Sequence, residues 1–256
     1  MWRYTIGSAS VNTVLITGGS VTNKENATYW CYQFFLYWKN TATGNNDYKV
    51  SPSFAKYDSY FKNPSAALAL TINEITALIK LYASALQKII LGAPPVKGND
   101  GFHVYKVAGN YEGFPQSPAD VPKKVKQLPF NSTTINPHFN FAFFIKDAEA
   151  KGNVFDIHIP VGARVLYVPA EFHAYPFEKE IILPFGCQLT ITRVFTGKLD
   201  YIDAKTEARV ILQKPPNAIM MGPVYDTDVY QPCNTGTTCQ VKRKNFKTMV
   251  AEYAPP

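Results

Sequence analysis

The stretch Tyr175-Pro-Phe-Glu-Lys-Glu-Ile-Ile-Leu-Pro184 places two carboxylates one residue apart, directly before an apolar triplet. Side chains of a strand repeat every second residue, so a strand that opens at Glu180 projects Glu178 and Glu180 from one face. Ile181 and Leu183 then point to the opposite face, where we expect a core. Paired carboxylates persist mainly where cations, hydrogen bonds or substrate hydroxyls stabilise them. An edge strand that uses charge to discourage aggregation has the same pattern, and the stretch alone favours that interpretation.

The overall composition is that of a globular protein. Charged residues make up 18% and apolar residues 46% of the 256 positions, and Tyr and Phe are abundant. Disordered chains have fewer aromatic residues and more charge. The length suits one large domain, or a domain with an N-terminal extension. The net charge of +7 is compatible with a phosphate-bearing ligand or an acidic partner and does not choose between them.

Targeting signals and cysteine spacing indicate an intracellular protein without a metal. Met1-Trp-Arg-Tyr-Thr-Ile-Gly-Ser8 lacks the basic start and unbroken apolar run of a secretory signal. No stretch approaches the ~20 apolar residues that span a bilayer, so we expect no membrane partner. Cys233 and Cys239 have no Cys-x-x-Cys spacing and no nearby histidine, which argues against zinc. A disulfide between them would need an oxidising compartment, and reduced thiols are favoured.

The first 62 residues are predicted as an N-terminal extension without an assigned role. Residues 12–17, Asn-Thr-Val-Leu-Ile-Thr, predict a strand that ends in a Gly18-Gly19 turn. Residues 28–39 are dense in aromatic side chains and indicate a buried strand or helix. Aromatic runs can stack on bases, but this run carries almost no lysine or arginine. We therefore predict core or an interaction surface here, and no nucleic-acid partner.

One amphipathic helix is predicted to follow Asn63-Pro-Ser65. Ser65 is a candidate cap, Thr71-x-x-Glu74 resembles a capping box, and Gly92 followed by two prolines ends the run. The apolar residues recur at three- and four-residue spacing, which is typical of a helix that packs on a core. They are Leu68, Ile72, Ile75, Ile79, Tyr82, Leu86 and Ile89.

Short strand-like segments follow Pro95 and predict an α+β fold. The predicted strands are residues 102–107, 130–135, 154–159, 164–168, 180–183, 188–194 and 208–213. Residues 110–128, with a lysine cluster at 123–126, are predicted as loop, and residues 139–145 as helix. Closely spaced strands after a helical part indicate a mainly antiparallel sheet sandwich. We predict a domain over residues 63–214, and a tail over residues 215–256 that packs on it or extends it.

Four segments stand out by their order in the chain. They are Tyr105-Lys106, Phe130-Asn-Ser-Thr-Thr134, Asn153-Val-Phe-Asp-Ile-His-Ile-Pro-Val-Gly162 and Glu178-Lys-Glu-Ile-Ile-Leu-Pro-Phe-Gly186. Together they resemble the mono-ADP-ribosyltransferase family of the exoenzyme and binary-toxin type. That family is marked by an arginine on the first strand, Ser-Thr-Ser on the next, and Glu-x-Glu or Gln-x-Glu before the third. The resemblance covers roughly residues 94–214 and implies the family's fold, a helical part followed by a mainly antiparallel β-sandwich.

The resemblance implies an enzyme that transfers ADP-ribose from NAD to a protein side chain and releases nicotinamide. Its implied catalytic residues are Glu180, Glu178 and Ser132. Glu180 would stabilise the positive charge that develops on the ribose as nicotinamide leaves. Glu178 would orient and deprotonate the acceptor, and a glutamate at this position goes with arginine acceptors in the family. Ser132 would hold Glu180 and shape the NAD pocket.

The resemblance also assigns residues that bind NAD, which is a substrate and needs no metal. These are Lys106, Tyr105, Ser132, Thr133, Thr134 and Phe141, while Tyr175 and Phe177 would recognise the target protein. Lys106 stands where the family has arginine, so the positive charge is kept but the planar fork that grips phosphate is lost. Three interpretations are open: a weaker working site, a pocket that uses another cation such as Arg164, or a degenerate enzyme.

Two other functions are compatible with the same sequence. A catalytically silent binding or structural protein on this fold would use the aromatic N-terminal segment and the tail, where Lys242-Arg-Lys244 makes a basic patch. An NAD glycohydrolase would use the same Glu180, with water in place of the protein acceptor. The sequence names no target protein and predicts no oligomeric state.

Overall fold

The computed structural model describes residues 9–42, 52–108, 114–115, 117–135, 153–169, 179–202, 209–210, 229–230 and 241–256. Helices come first in the chain and a mainly antiparallel sheet follows, so the predicted α+β class is confirmed. The chain divides into two compact units, Met1–Leu86 with Ile211–Asp228 and Gln87–Val210 with Val229–Pro256. The helix predicted over residues 139–145 lies outside the described residues.

The first unit is helical in its described residues. Its helices are α1 (Ala9–Ile16), α2 (Lys24–Ala42), α3 (Asp58–Lys62) and most of α4 (Ile72–Gly92), with 3-10 helices at Pro52–Tyr57 and Pro64–Ala69. The prediction of a strand over residues 12–17 is wrong, because α1 covers almost all of this stretch. Val11 and Val14 are buried three positions apart, which is a helical spacing. Their β-branched side chains favour a strand only when the local sequence is taken alone.

The aromatic run of α2 forms core in the first unit. Trp30, Cys31, Phe34 and Phe35 are buried. The rings of Trp30 and Phe34, one helical turn apart, stack with their centroids 5.7 Å apart and their planes at 7°. Phe35 meets Phe61 of α3 edge to face, with ring centroids 4.9 Å apart. The run is therefore a helix that packs on its neighbours, which is one of the two structures that its composition indicates.

Helix α4 begins with the predicted capping box and ends at the predicted glycine. Thr71 N donates to Glu74 Oε2 at 2.8 Å, and Glu74 N donates to Thr71 Oγ1 at 3.3 Å. The hydrogen bonds from the Thr71 side chain and backbone lower the pKa of Glu74. The helix does not reach back to Ser65 as predicted, because Pro64–Ala69 forms a separate 3-10 helix.

The buried face of α4 differs in part from the predicted one. Its buried residues are Ile75, Leu78, Ile79, Tyr82, Ala83, Leu86 and Ile90, whereas Ile72 and Ile89 are 47% and 51% exposed. Ile90 is four residues after Leu86, which places it about 40° past one full helical turn, whereas Ile89, three residues after Leu86, is about 60° short of a full turn. Ile90 therefore lies closer to Leu86 around the helix and continues the buried face. By length and composition alone α4 could also cross a membrane, a property that core helices of soluble proteins share.

The second unit is built on an eight-stranded sheet with the order β2-β7-β10-β4-β1-β3-β6-β5. The strands are β1 (Phe102–Ala108), β2 (Lys123–Lys126), β3 (Asn131–Thr134), β4 (Asn153–Ile159), β5 (Leu166–Tyr167), β6 (Glu180–Leu183), β7 (Gln188–Ile202) and β10 (Val241–Ala254). Two further strands, β8 (Arg209–Val210) and β9 (Val229–Tyr230), pair with each other. The sheet confirms the strands predicted over residues 102–107, 154–159, 180–183 and 188–194. Among the strands that the structure describes, the one parallel pair joins β10 to β4.

Three strands, β2, β9 and β10, lie where the sequence predicts none. β10 falls in the predicted tail and lies between β7 and β4 inside the sheet. Its buried residues Met249, Ala251 and Tyr253 alternate as a strand requires, but the basic run at its start hides the pattern. β2 falls in the predicted loop over residues 110–128 and forms one edge of the sheet. Lysines at such an edge discourage pairing with other chains.

The sheet folds into two strand groups that share one core. The group β2-β7-β10-β4-β1 joins the group β3-β6-β5 through a single register pair, Tyr105 with Thr134. Both groups contribute to one hydrophobic cluster, which includes Val104, Phe155, Ile157, Ile181, Leu183, Leu189, Ile191, Met249, Ala251 and Tyr253. This shared core gives the second unit the predicted sandwich-like arrangement.

Gly101, at the entry to β1, is a position where a side chain is excluded. Its φ is +72°, and an added Cβ would lie 2.1 Å from the carbonyl oxygen of Ile159. We expect Gly101→Ala to lower the free energy of unfolding by more than about 2 kcal/mol, measured by urea denaturation. The control is Gly162→Ala, where φ is +85° but no atom lies within 4 Å. It should cost only the backbone strain, about 1 kcal/mol, and equal losses in both variants would contradict the clash.

Candidate active site

Ser132 and Glu180 meet on one face of neighbouring strands. β3 and β6 pair antiparallel, with Ser132 opposite Ile182 and Thr134 opposite Glu180. Ser132 and Glu180 are therefore diagonal neighbours, within reach of each other across the pair. Ser132 Oγ donates a hydrogen bond to Glu180 Oε1, and Glu180 is only 2% exposed. A buried carboxylate is thus held by a hydroxyl from the adjacent strand.

Packing and hydrogen bonds fix the position of the Glu180 backbone. All four residues of β6 are buried, and Ile181 and Leu183 belong to the shared core. Val168 N donates to the Glu180 carbonyl at 3.0 Å from the other side. Lys179 has a φ of +46°, a left-handed conformation that costs a non-glycine residue roughly 1–2 kcal/mol. Glu178 precedes Lys179 and lies outside the described residues, so the prediction that it shares a face with Glu180 stays a prediction.

The two threonines after Ser132 are buried on β3. Thr133 Oγ1 donates to the Ile181 carbonyl at 2.7 Å, which ties β3 to β6 beside the backbone ladder. Thr134 is 3% exposed and stands opposite Glu180 on one side and Tyr105 on the other. Both side chains therefore support the strand pair that carries Ser132 and Glu180.

Lys106 is held at a different place from this pair. Its Nζ donates to Asn131 Oδ1 at 2.5 Å, and Asn131 is only 1% exposed. Asn131 and Ser132 are consecutive on a strand, so their side chains leave opposite faces. The described contacts thus bring Lys106 to the face of β3 that is turned away from Glu180. The sequence predictions did not include Asn131, although a polar residue directly before Ser-Thr-Thr was a visible signal.

Burial sets the protonation of the groups around Lys106. Desolvation lowers the pKa of Lys106 from 10.5 to about 8, against a smaller opposite effect of Cys187. Desolvation also raises the pKa of Cys187 to about 12, so this thiol is neutral at physiological pH. A lysine pKa lowered by this amount corresponds to a cost of about 3 kcal/mol for keeping the charge in the folded state.

Of the other residues considered for the site, Tyr105 lies on the sheet face of Ser132 and Glu180, because it stands opposite Thr134, which in turn stands opposite Glu180. Tyr105 alternates with Lys106 and so leaves the other face of β1, where desolvation and Asp156 raise the pKa of its phenol. His103 lies on that face as well, with Nδ1 2.6 Å from Asp156 Oδ1. Arg164 Nη1 donates to the Ala93 carbonyl at 2.5 Å, just past the end of α4.

Part of the predicted site is not described. Glu178, Phe141, Tyr175 and Phe177 lie outside the described residues, so their roles stay predictions. A small cavity of about 70 Å³ lies in the first unit between Ser10, Thr13, Asn23 and Asn26, and no predicted site residue lines it. Within the described ranges, no three histidine, cysteine or acidic side chains are grouped as a metal ion would require.

The chain was compared with known proteins. No family model and no curated protein matches it, but several solved structures align with it. Plx2a, an ADP-ribosyltransferase toxin from Paenibacillus larvae, is 15% identical, with 90% of this chain and 96% of Plx2a covered and a TM-score of 0.38. C3stau2 from S. aureus, solved with NAD, is 14% identical, with 87% and 95% covered and a TM-score of 0.38.

A longer toxin aligns over part of its length. BECa, an ADP-ribosylating toxin of a binary enterotoxin of C. perfringens solved with NADH, is 13% identical, with 90% of this chain but 48% of BECa covered and a TM-score of 0.39. This chain therefore spans about half of BECa. At these identities and scores, the likeness by itself assigns neither a family nor an activity, and the site has to be judged on its own residues.

Proposed function

We propose that this protein is an NAD-dependent mono-ADP-ribosyltransferase that transfers ADP-ribose to a protein side chain and releases nicotinamide. The observation that carries the proposal is the buried carboxylate of Glu180, held by the hydroxyl of Ser132 on the adjacent strand. The order of the sequence segments around these two residues supports it independently.

The chemistry explains why such a pair is useful. When the bond between nicotinamide and the ribose breaks, the electron pair leaves with nicotinamide and positive charge develops on the ribose. A fixed carboxylate stabilises this charge more in the transition state than in the ground state. Burial reduces screening by water, so the attraction exerted by Glu180 is stronger than at the surface. Ser132 keeps the carboxylate in one orientation, which avoids reorganisation during the reaction.

We also propose that Glu178 activates the acceptor side chain. An arginine guanidinium is a poor nucleophile while protonated, so a base beside it is needed. Glu178 would accept that proton as a guanidinium nitrogen forms the new bond to the ribose. Tyr175 and Phe177 precede Glu178 in the sequence, and we propose that they contact the target protein.

The proposal is tested with purified protein and NAD labelled in its adenosine part. We expect release of nicotinamide, measured by chromatography, and transfer of the label to a protein in a cell lysate. Release without transfer would identify an NAD glycohydrolase instead. Absence of both would contradict the proposal and favour a catalytically silent protein.

Ser132→Ala tests the contact that carries the proposal. Loss of a hydrogen bond to a charged group should lower nicotinamide release about 10- to 100-fold, because Glu180 loses its fixed orientation. The control is Ser65→Ala, which removes the same hydroxyl from an exposed position in the first unit. Equal rates in Ser132→Ala and Ser65→Ala would show that the Ser132 hydroxyl has no part in the reaction.

A further inference from the structure

The junction between the two strand groups is held by few contacts. β1 pairs with β4 along its whole length, from Phe102 to Ala108, but with β3 at one register pair only. That pair joins Tyr105 to Thr134. In the next positions, the backbone ladder ends and the Lys106 side chain reaches across to Asn131. A side-chain tie thus takes over where the backbone pairing between the groups stops.

The hydrogen bond between Lys106 and Asn131 places an ammonium group where surrounding core residues reduce its hydration, which is energetically unfavourable. Asn131 is almost fully buried, and Val104, on the same face of β1 as Lys106, belongs to the core. Among the described residues, the titratable group that acts on the charge of Lys106 is the Cys187 thiol. Lys106 itself is half-buried, and a charge withdrawn from water without a counter-charge destabilises a fold. Its presence at this junction therefore calls for a role other than general stability.

The other titratable groups that the structure describes near the junction do not compensate the ammonium. Tyr253 of β10 lies near Cys187, and burial raises the pKa of its phenol, so it is neutral at physiological pH. His103 and Asp156 interact with each other on the far side of the sheet. The hydrogen bond to Asn131 is thus the feature that fixes the Lys106 ammonium in the described part of the chain.

We propose that Lys106 and Asn131 are positioning residues, which tie β3 to β1 so that Ser132 holds Glu180, and that Lys106 does not itself contact the phosphates of NAD. Lys106 and Glu180 act from opposite faces of β3, with Asn131 and Ser132 as the consecutive residues between them. The inference rests on the proposed function for its kinetic consequences. Its structural part, the dependence of Glu180 on the tie, does not need activity.

The structural part is tested by carbon NMR of the Glu180 carboxyl group, assigned by its absence in Glu180→Gln. Lys106→Met and Asn131→Leu should each change the carboxyl chemical shift of Glu180. The double variant should change it no further, because each single variant already removes the same hydrogen bond between Lys106 and Asn131. The control Lys124→Met removes an exposed lysine from the sheet edge and should leave the signal in place. An unchanged signal in both single variants would overturn the proposal.

The kinetic part separates positioning from phosphate binding. Lys106→Met and Asn131→Leu should each lower the rate of nicotinamide release at saturating NAD at least tenfold, with KM for NAD changed less than twofold. A tenfold rise in KM at an unchanged rate, or tighter NAD binding in Lys106→Arg, would place the cation on the phosphates and overturn the inference. Wild-type protein that releases no nicotinamide would refute the proposed function alone, and the NMR result would still decide the tie.

The pH profile adds a readout that a purely structural defect would not give. The pKa of Lys106 lies near 8, so the ammonium loses its proton and the hydrogen bond to Asn131 weakens above this pH. Wild-type turnover should fall above pH 8, and Lys106→Met should lack this fall. Asn131→Asp offers a charged partner and keeps a polar pair, so it tests the idea if the apolar variants do not fold. It should move the alkaline fall to higher pH, and an unmoved profile would contradict the proposal.

Discussion

Replacing Glu180 by glutamine is expected to lower nicotinamide release by about 1,000-fold or more while leaving the fold intact. The change removes one negative charge and preserves the size of the side chain. Loss of a preorganised electrostatic group at the reacting centre costs about this much in enzymes generally. The amide oxygen still accepts the hydrogen bond from Ser132 Oγ, so the strand pair β3–β6 keeps its contact. The rate is measured as nicotinamide released from NAD, and the fold by thermal unfolding.

A matched control distinguishes this loss from a general effect of removing charge. Glu252→Gln makes the same chemical change on β10, where Glu252 is exposed and 2.7 Å from His158 Nδ1. It should leave the rate within about twofold of wild type, since Glu252 takes no part in the proposed reaction. If Glu180→Gln turned over NAD as fast as Glu252→Gln, the assignment of Glu180 would be wrong.

Replacing Glu178 by glutamine is expected to separate the two halves of the reaction. Transfer of labelled ADP-ribose to protein should fall at least about 100-fold, because a positioned base contributes that much to the deprotonation of an acceptor. Hydrolysis of NAD should fall far less, since Glu180 still stabilises the charge on the ribose. Both rates are measured in one reaction, as label on protein and as total nicotinamide released.

The choice of acceptor sharpens this second experiment. A small guanidinium compound replaces the target protein, so that contacts from Tyr175 and Phe177 no longer matter. Glu178→Gln should still lose transfer to this compound. A variant that lost hydrolysis but kept transfer would remove Glu178 from acceptor activation, and transfer to asparagine rather than arginine in the wild type would contradict the proposed acceptor.

Local signals in the sequence were sufficient for much of the fold. The Thr71–Glu74 capping box and the Gly92 end of α4 are contacts between residues close in the chain, so the sequence alone identifies them. The strands β1, β4 and β6 are short, β-branched and bounded by turn residues, which is why their positions follow from pattern. The pairing of Ser132 with Glu180 was predicted through the order of motifs rather than through their spacing.

Local signals failed where neighbours in space outweigh neighbours in the chain. Residues 12–17 favour a strand by propensity, yet α1 forms because Val11 and Val14 bury one helical face. β10 begins in a basic run that reads as a solvated tail, but the strand lies between β7 and β4 with Met249 and Ala251 in the core. The strands that pair with β10 are distant from it in the sequence, so the local sequence of β10 does not predict its position in the sheet.

The sequence by itself determined the fold class, the main helix and the two residues of the candidate catalytic pair, because these depend on periodicity, caps and ordered motifs. Tertiary structure alone decided that Lys106 reaches Asn131 on the face of β3 away from Glu180, since 25 positions separate the two residues of that contact. It also decided that β10 completes the sheet. Side-chain direction and strand order depend on which strands meet, and that is settled only when the whole core is packed.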